Sequence, residues 1–384
     1  MHFLNLSTYL PKQCGIASFS KDLSENLTRL GVRTSIAAVS DPYYTYAYPD
    51  EVTHNIHQQD KEEYIKAANL INKNSSIDLV IIQHEYGIYG GADGSFLLAF
   101  TAHLNKPYVV VCHTVLPNPS ANQSAVLGEL CRQAATVVAM TKNSADLLCR
   151  IYKMPQEKVY IIHHGVPAFT AKDRRLLKQE YGFAGRELVT TFGLIGPGKG
   201  IEIGIMALKE LIMKHRNKNL LYLVVGRTHP MLIKQEGERY REMLQDLVNS
   251  SGLQDHVKFI NKFLDQEELG AYLHMTDIYL SPYPNKDQAI SGTLAYALGC
   301  GRAIVSTPYT YALEMLSQGQ RGLVAADASP EALAELLDRI LSEPELKNLL
   351  ESGAARLGEK IKWPFVAKQY ASLAESVLQS KIAI

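Results

Sequence analysis

The residues best suited to chemistry lie in one stretch, Phe192-Gly193-Leu194-Ile195-Gly196-Pro197-Gly198-Lys199-Gly200, where an apolar run enters four glycines and a lysine and then a helix-forming segment. Phosphate binding is the chemistry this pattern suits. Main-chain N–H groups at a helix start are unpaired and partly positive, glycines let a ligand approach the backbone, and a lysine adds a full charge there. Further along, Gln288-Ala289-Ile290-Ser291-Gly292-Thr293-Leu294 opens onto another helix-forming segment. Ser291, Gly292 and Thr293 suit an anion as well as a helix cap. Two such starts in one half of the chain point to a diphosphate. The common nucleotide fingerprints do not fit. A Walker loop needs Ser or Thr after its lysine to hold magnesium, and here Gly200 follows Lys199. No Gly-x-Gly-x-x-Gly lies between the first strand and first helix of either half.

Other residues stand where buried strands end, the edge at which doubly wound sheets bind ligands. His113 follows Val109 to Cys112, and Gln83-His84-Glu85-Tyr86-Gly87 follows Leu79 to Ile82. The second group is either a ligand contact or a solvated turn. Gly15 suits close backbone approach of a phosphate or a plain tight turn. Tyr43, Tyr44, Tyr46 and Tyr48 form either a sugar-stacking lid or loop rings packed on their own domain. His163, His164 and His229 have no metal-ligand spacing.

The elements that must position these groups recur in two sets. Apolar runs at 3–6, 35–39, 79–82, 109–112, 137–140 and 159–162 alternate with helix-length segments, and a second set follows at 188–192, 220–225, 257–260, 278–280, 303–305 and 323–325. Val-, Ile- and Leu-rich strands separated by helices predict parallel sheets covered on both faces. The expected fold class is therefore α/β, with two doubly wound Rossmann-like domains facing a cleft. Residues 1–170 form the first and 171–364 the second, with the break in the polar stretch 167–185. The final helical segment, 365–384, either continues the second domain or returns to the first.

The 384 residues suffice for two cores, and 20% charged with 46% apolar residues is an ordinary globular balance. Lys plus Arg equals Asp plus Glu at 39 each, and residues 1–170 carry 13 basic against 14 acidic groups, which argues against nucleic-acid binding by bulk charge. Five scattered cysteines without Cys-x-x-Cys pairs suggest reduced thiols in a cytoplasmic protein. The N-terminus lacks a signal-peptide pattern and no run approaches the about 18 apolar residues of a membrane span. Peripheral membrane contact and oligomeric state stay open.

Together these pieces resemble the retaining glycosyltransferases of the GT-B fold, in particular the large family four that uses nucleotide-sugar donors. The resemblance runs through Pro11 to Phe19 with Gly15, Val111-Cys112-His113-Thr114, His164-Gly165-Val166, Phe192 to Gly200, Ser281-Pro282-Tyr283 and Ala295-Tyr296-Ala297-Leu298-Gly299-Cys300-Gly301. It implies catalytic roles for His113 and Lys199. It implies donor binding by Gly15, Gly193, Gly198, Lys199, Arg227, Asp287, Gln288, Ser291, Gly292, Thr293, Leu294 and Tyr296, and acceptor binding by His84, Glu85 and Tyr86. Two departures matter. Leu194 stands where the family has an arginine, leaving the charge to Lys199 with Arg227. Gln288 and Tyr296 replace two glutamates with seven residues between them, and Asp287 is available for a sugar hydroxyl.

The implied reaction transfers a hexosyl group, mannose or glucose, with retention from a UDP-, GDP- or ADP-sugar to a sugar or other hydroxyl acceptor. No Asp-x-Asp pair is present, so neither a metal nor any other cofactor is expected. A disaccharide phosphorylase and a non-catalytic sugar-nucleotide binder of the same fold are the alternatives.

Overall fold

The computed structural model describes residues 1–42, 44–215 and 219–382. The chain divides into two units, Met1–Gly165 with Trp363–Ile384, and Val166–Lys362.

The first unit holds seven strands: β1 (His2–Ser7), β2 (Arg33–Ser40), β3 (Val52–His57), β4 (Leu79–His84), β5 (Tyr108–Cys112), β6 (Thr136–Ala139) and β7 (Val159–Ile161). They pair in parallel in the order β3-β2-β1-β4-β5-β6-β7. Leu4, Leu6, Val80, Ile82, Val110 and Cys112 alternate along their strands into one core cluster. Helices cover both faces, so even the residues between them are buried.

The strand β3 is absent from the apolar runs of the sequence. It forms the edge of the sheet and of its six residues only Ile56 is buried, so Val-Thr-His-Asn-Ile-His needs no continuous apolar character.

The second unit holds β8 (Glu187–Phe192), β9 (Leu220–Val225), β10 (Val257–Ile260), β11 (Ile278–Ser281), β12 (Ala303–Ser306) and β13 (Leu323–Val324), in the parallel order β10-β9-β8-β11-β12-β13. Val189, Leu280 and Val305 point into one core cluster while Leu188, Tyr279 and Ile304 point into the other. In each unit the first strand lies between its second and fourth, so the connections leave in opposite directions at β1/β4 and at β8/β11. Such a reversal is where doubly wound sheets hold ligands, outside the carboxyl edge of the strands.

The division falls at Gly165 and Trp363 rather than at 170/171 and 364/365. A Cβ on Gly165 would stand 2.3 Å from the Trp363 ring, and Trp363 packs edge-on against Phe19 at 4.9 Å while its Nε1 donates to Asp22 Oδ2 at 3.1 Å. These contacts seat the helix Trp363–Ile382 on the helix Gly15–Arg29. Val166 N–H, in turn, donates to Ile361 O within the second unit. The polar stretch 167–185 is therefore not a linker. Its charges hold the helix Arg174–Glu180 in place, because Arg174 and Lys178 bond Asp277, which also accepts from Lys347 Nζ at 3.0 Å and Leu188 N–H at 2.8 Å. Among the described residues no helix is long and apolar enough to cross a membrane.

Burial alone would raise the Asp277 pKa, but Lys347, the Leu188 N–H and Lys178 outweigh it and hold the carboxyl below its ordinary value. A depressed folded pKa contributes stability above the unfolded-state value of about 4, lost as pH falls through the folded value. Asp277→Asn should therefore lose about 3 kcal/mol at pH 7, as when one partner of a buried ion network is removed. In denaturant unfolding followed by circular dichroism, its difference from the wild type should shrink as the pH is lowered below 4.

Candidate functional site

At the carboxyl edge of the second unit's sheet, three glycines bring loops from adjacent strands into main-chain contact. Gly193, directly after β8, has φ +129° and donates its N–H to Val225 O at 3.0 Å. Opposite it, Gly226 has φ +139°, and a Cβ there would stand 1.8 Å from Gly193 O. The two loops stay paired through Ile195 N–H to Arg227 O and His229 N–H to Ile195 O, both 2.9 Å. After the turn Pro197–Lys199, Gly200 at φ +61° passes so close to the loop after β11 that a Cβ would lie 2.0 Å from Pro282 O. L side chains are strained at these φ values and no space exists for them.

This folding turns Lys199 back over Gly193, with Nζ 3.6 Å from where a Gly193 Cβ would stand. The ammonium donates to Tyr283 Oη at 2.5 Å. A row of hydroxyls continues from there: Tyr283 Oη to Thr293 Oγ1 at 2.8 Å and Thr293 Oγ1 to Ser291 Oγ at 3.2 Å. Ser291 caps the helix Gly292–Gly299 by accepting Leu294 N–H at 3.3 Å. The two glycine-bearing motifs of the sequence thus meet at the β8/β11 reversal, with an ammonium, three hydroxyls and a helix N-terminus together. Burial would raise the Tyr283 phenol, yet the Lys199 charge and the bonds from Lys199, Ser291 and Thr293 bring it below its ordinary value. Burial and then Lys199 lower His229, which caps the helix Pro230–Glu236.

The remaining donor-side residues divide. Gly198 is exposed, with nothing within 4 Å of a built Cβ, and Asp287 is exposed as well. Arg227 is half-buried and its main chain makes the loop pairing described above. Gln288 Nε2 donates to Ile290 O at 2.8 Å, so its amide holds the turn that presents Ser291. Leu294 is fully buried and offers no side chain to a ligand, since helical geometry points it into the core and its N–H is taken by Ser291. The Tyr296 ring stacks on Phe192 at 6.3 Å and meets Phe169 edge-on at 6.2 Å.

In the first unit, His113 lies buried at the end of β5. Its Nε2 is 2.9 Å from Gln83 Oε1, and Gln83 Nε2 in turn donates to Asn5 Oδ1 at 3.2 Å. With the Gln83 carbonyl as acceptor, the imidazole proton sits on Nε2. Burial first, then His164 and His84, drive its pKa well below the ordinary value, so the ring is neutral. His84 does not stand at the surface as an acceptor contact. It is 1% exposed, neither ring nitrogen has a hydrogen-bond partner, it meets Tyr86 edge-on at 4.8 Å, and burial takes its pKa to about 4. The last residue of a buried parallel strand simply continues the core.

Glu85 accepts from Thr114 Oγ1 at 2.6 Å and from Tyr86 N–H at 3.0 Å, and burial raises its pKa against both bonds. Tyr86 Oη lies 3.2 Å from Tyr152 Oη. Gly15 is exposed at the start of the helix Gly15–Arg29, which Cys14 caps by accepting Ala17 N–H at 3.3 Å. Tyr46 Oη donates to Asp41 Oδ2 at 2.6 Å, Tyr48 Oη is 2.9 Å from Ser40 Oγ, and Tyr44 is exposed. Tyr43 lies outside the described residues. Tyr283, Gln83 and Thr114 stand in motifs that the sequence reading quotes without giving them a role of their own, and Asn5, inside β1, carries no signal that sets it apart from the strand.

Two family models cover most of the chain: glycosyltransferase family 4 over residues 14–168 and glycosyl transferases group 1 over residues 173–356. An alpha-D-kanosaminyltransferase of Streptomyces kanamyceticus is 24% identical over 231 residues, 59% of this chain and 56% of that one. A D-inositol 3-phosphate glycosyltransferase of Jonesia denitrificans is 25% identical over 289 residues, 68% and 64% of the two chains. The chain thus spans less than two thirds of the length of these relatives. HepE of Anabaena, solved in complex with UDP, superposes with a TM-score of 0.79 at 18% identity, over 98% of this chain and 100% of that one. Sucrose-phosphate synthase of Thermosynechococcus elongatus gives 0.81 at 16% identity, over 99% and 100%. Both have the two Rossmann-like domains of GT-B enzymes. With one of its models matching each half and this fold shared throughout, the chain belongs to the group 1, family 4 glycosyltransferases.

Proposed function

We propose that the protein is a glycosyltransferase that moves a hexosyl group, glucose or mannose, from a nucleoside-diphosphate sugar to a hydroxyl acceptor with retention at the anomeric carbon. The observation that carries the reading is Lys199 folded over Gly193, beside the hydroxyls of Tyr283, Ser291 and Thr293 at the β8/β11 reversal. A diphosphate there meets a fixed ammonium, hydroxyl donors and a helix N-terminus, the groups that stabilise negative charge as it develops on a leaving group. UDP is the first nucleotide to try, since HepE, a protein of the same fold, has been solved with UDP.

In the proposed step the bond from the anomeric carbon to the diphosphate oxygen breaks as the acceptor oxygen attacks from the same face. The acceptor proton passes to the departing phosphate oxygen. Lys199 carries positive charge on this side, Gly198 gives the diphosphate access to main chain, and Gly193, with no side chain, leaves space beside the ammonium. His113, neutral and held by Gln83, contacts sugar rather than exchanging protons. Glu85 and Tyr86 serve the acceptor. We further propose that the reaction uses neither a metal nor another cofactor, and that it takes place in the cytoplasm, in keeping with five free cysteines.

Calorimetric titration with UDP, GDP and ADP in excess chelator tests the donor side. One of them should bind, and Lys199→Ala should weaken it at least about tenfold, the loss expected for a charge-assisted hydrogen bond. Lack of binding by all three would overturn the reading, and turnover that needs inorganic phosphate instead of a nucleotide would make the protein a phosphorylase. His113→Ala should keep the nucleotide affinity within about twofold while lowering kcat/KM for sugar transfer about tenfold or more, as for an interaction made to sugar and not to diphosphate.

A further inference from the structure

We propose that Tyr283 is the positioning residue of Lys199: its hydroxyl fixes the ammonium over Gly193 without neutralising it. The inference rests on the donor-site reading and adds to it a residue that determines how one lysine serves a diphosphate.

Tyr283 is itself immobile. Its ring is buried and stacked on Tyr309 at 5.1 Å with 16° between the planes, and Tyr309 Oη lies 2.7 Å from Ser281 Oγ. Its main-chain oxygen accepts from Thr307 Oγ1 at 2.6 Å, and the preceding Pro282 carbonyl is pressed against Gly200. Residues that follow β8, β11 and β12 are thus joined around one phenol. A lysine side chain left free loses rotamer entropy when a ligand orders it. Here the ordering is already done.

The kind of partner matters as much as its place. Among the described residues Lys199 has no carboxylate within ion-pairing distance, and the bond its Nζ makes is to Tyr283. A carboxylate would orient the ammonium equally well but would cancel its charge. The Tyr283 oxygen accepts from Lys199 and, bonded also to Thr293, stays an uncharged partner that leaves the ammonium's charge for an anion. This depends on the phenol staying protonated. Despite the burial that opposes it, Lys199 and the Ser291 and Thr293 bonds bring the Tyr283 pKa below its ordinary value, so the device weakens as a phenolate forms. The other titratable groups around it do not compete in that range. Burial raises Tyr222, Tyr279 and Tyr309 and lowers His229.

The experiment is a double-mutant cycle: UDP titrated calorimetrically into wild type, Lys199→Ala, Tyr283→Phe and the double variant, at neutral pH and between pH 8 and 10. Tyr283→Phe, which keeps the stacked ring, should bind UDP about tenfold more weakly, and the same change in the Lys199→Ala background should cost nothing further. The wild type should lose affinity as Tyr283 ionises, and Tyr283→Phe should lack that alkaline limb. Wild-type affinity in Tyr283→Phe, or an equal loss in both backgrounds, overturns the proposal. If the wild type binds no UDP, or if Tyr283→Phe does not fold, pH titration of Cζ-labelled tyrosines in wild type and Lys199→Ala decides the contact. A resonance titrating below the ordinary tyrosine range that moves up without Lys199 upholds it, and one that does not move overturns it. Loss of UDP binding with this contact intact would sink the donor assignment alone.

Discussion

The loop cluster at the carboxyl edge of the second unit's sheet depends on backbone approaching backbone. Gly193 O stands 1.8 Å from the Cβ position of Gly226, and Pro282 O stands 2.0 Å from that of Gly200. A single methyl group at either place would push apart loops that follow adjacent strands. The closeness of those loops is what lets Lys199, which follows β8, reach the hydroxyls that follow β11. The glycines therefore act less by offering a ligand bare main chain than by setting the distance between two loops. The parallel sheet supplies the other half of the constraint, because its β8/β11 reversal is where covering helices diverge and leave the strand ends open.

In the first unit the controlling factor is burial. His113, His84 and His164 are all shielded from water, and each is driven toward its neutral form. For His113 the hydrogen-bond chain to Gln83 and Asn5 also decides which nitrogen carries the proton. A neutral ring of fixed tautomer makes a directional contact with a hydroxyl but is a poor proton store at neutral pH. That division of labour agrees with chemistry in which the leaving phosphate itself takes the acceptor proton.

What the sequence made legible follows from how strongly local pattern constrains position. The twelve Val-, Ile- and Leu-rich runs stand as strands, and the central ones are apolar throughout because they are buried on both faces. The strand β3 escaped because an edge exposed to water removes that requirement. Pro167 to Gly185 was misjudged for a similar reason, since its charges are matched to Asp277 a hundred residues away and composition alone cannot distinguish that from a linker. Lys199, Gly193, Ser291 and Thr293, singled out from their place at strand-to-helix junctions, do come together in the fold. His84 and Leu294 stand in such junctions too, but strand and helix periodicity turn them inward. Tyr283 is the opposite case: a buried tyrosine looks like core until the loops after β8, β11 and β12 fold around it.

The departures from the family pattern now have physical content. Leu194, Gln288 and Tyr296 occupy positions where the family has an arginine and two glutamates. Gln288 spends its amide on the turn ahead of Ser291, and Tyr296 stacks on Phe192. Leu194 is half-buried beside Gly193 and brings no charge to the loop. With these three groups uncharged, the Lys199 ammonium stands beside a row of neutral hydroxyls. A carboxylate in their place would compete with an incoming diphosphate for Lys199, whereas a phenol, a threonine and a serine carry no charge with which to do so. In the proposed reading the arginine absent at Leu194 is offset by keeping the Lys199 charge ordered and uncancelled.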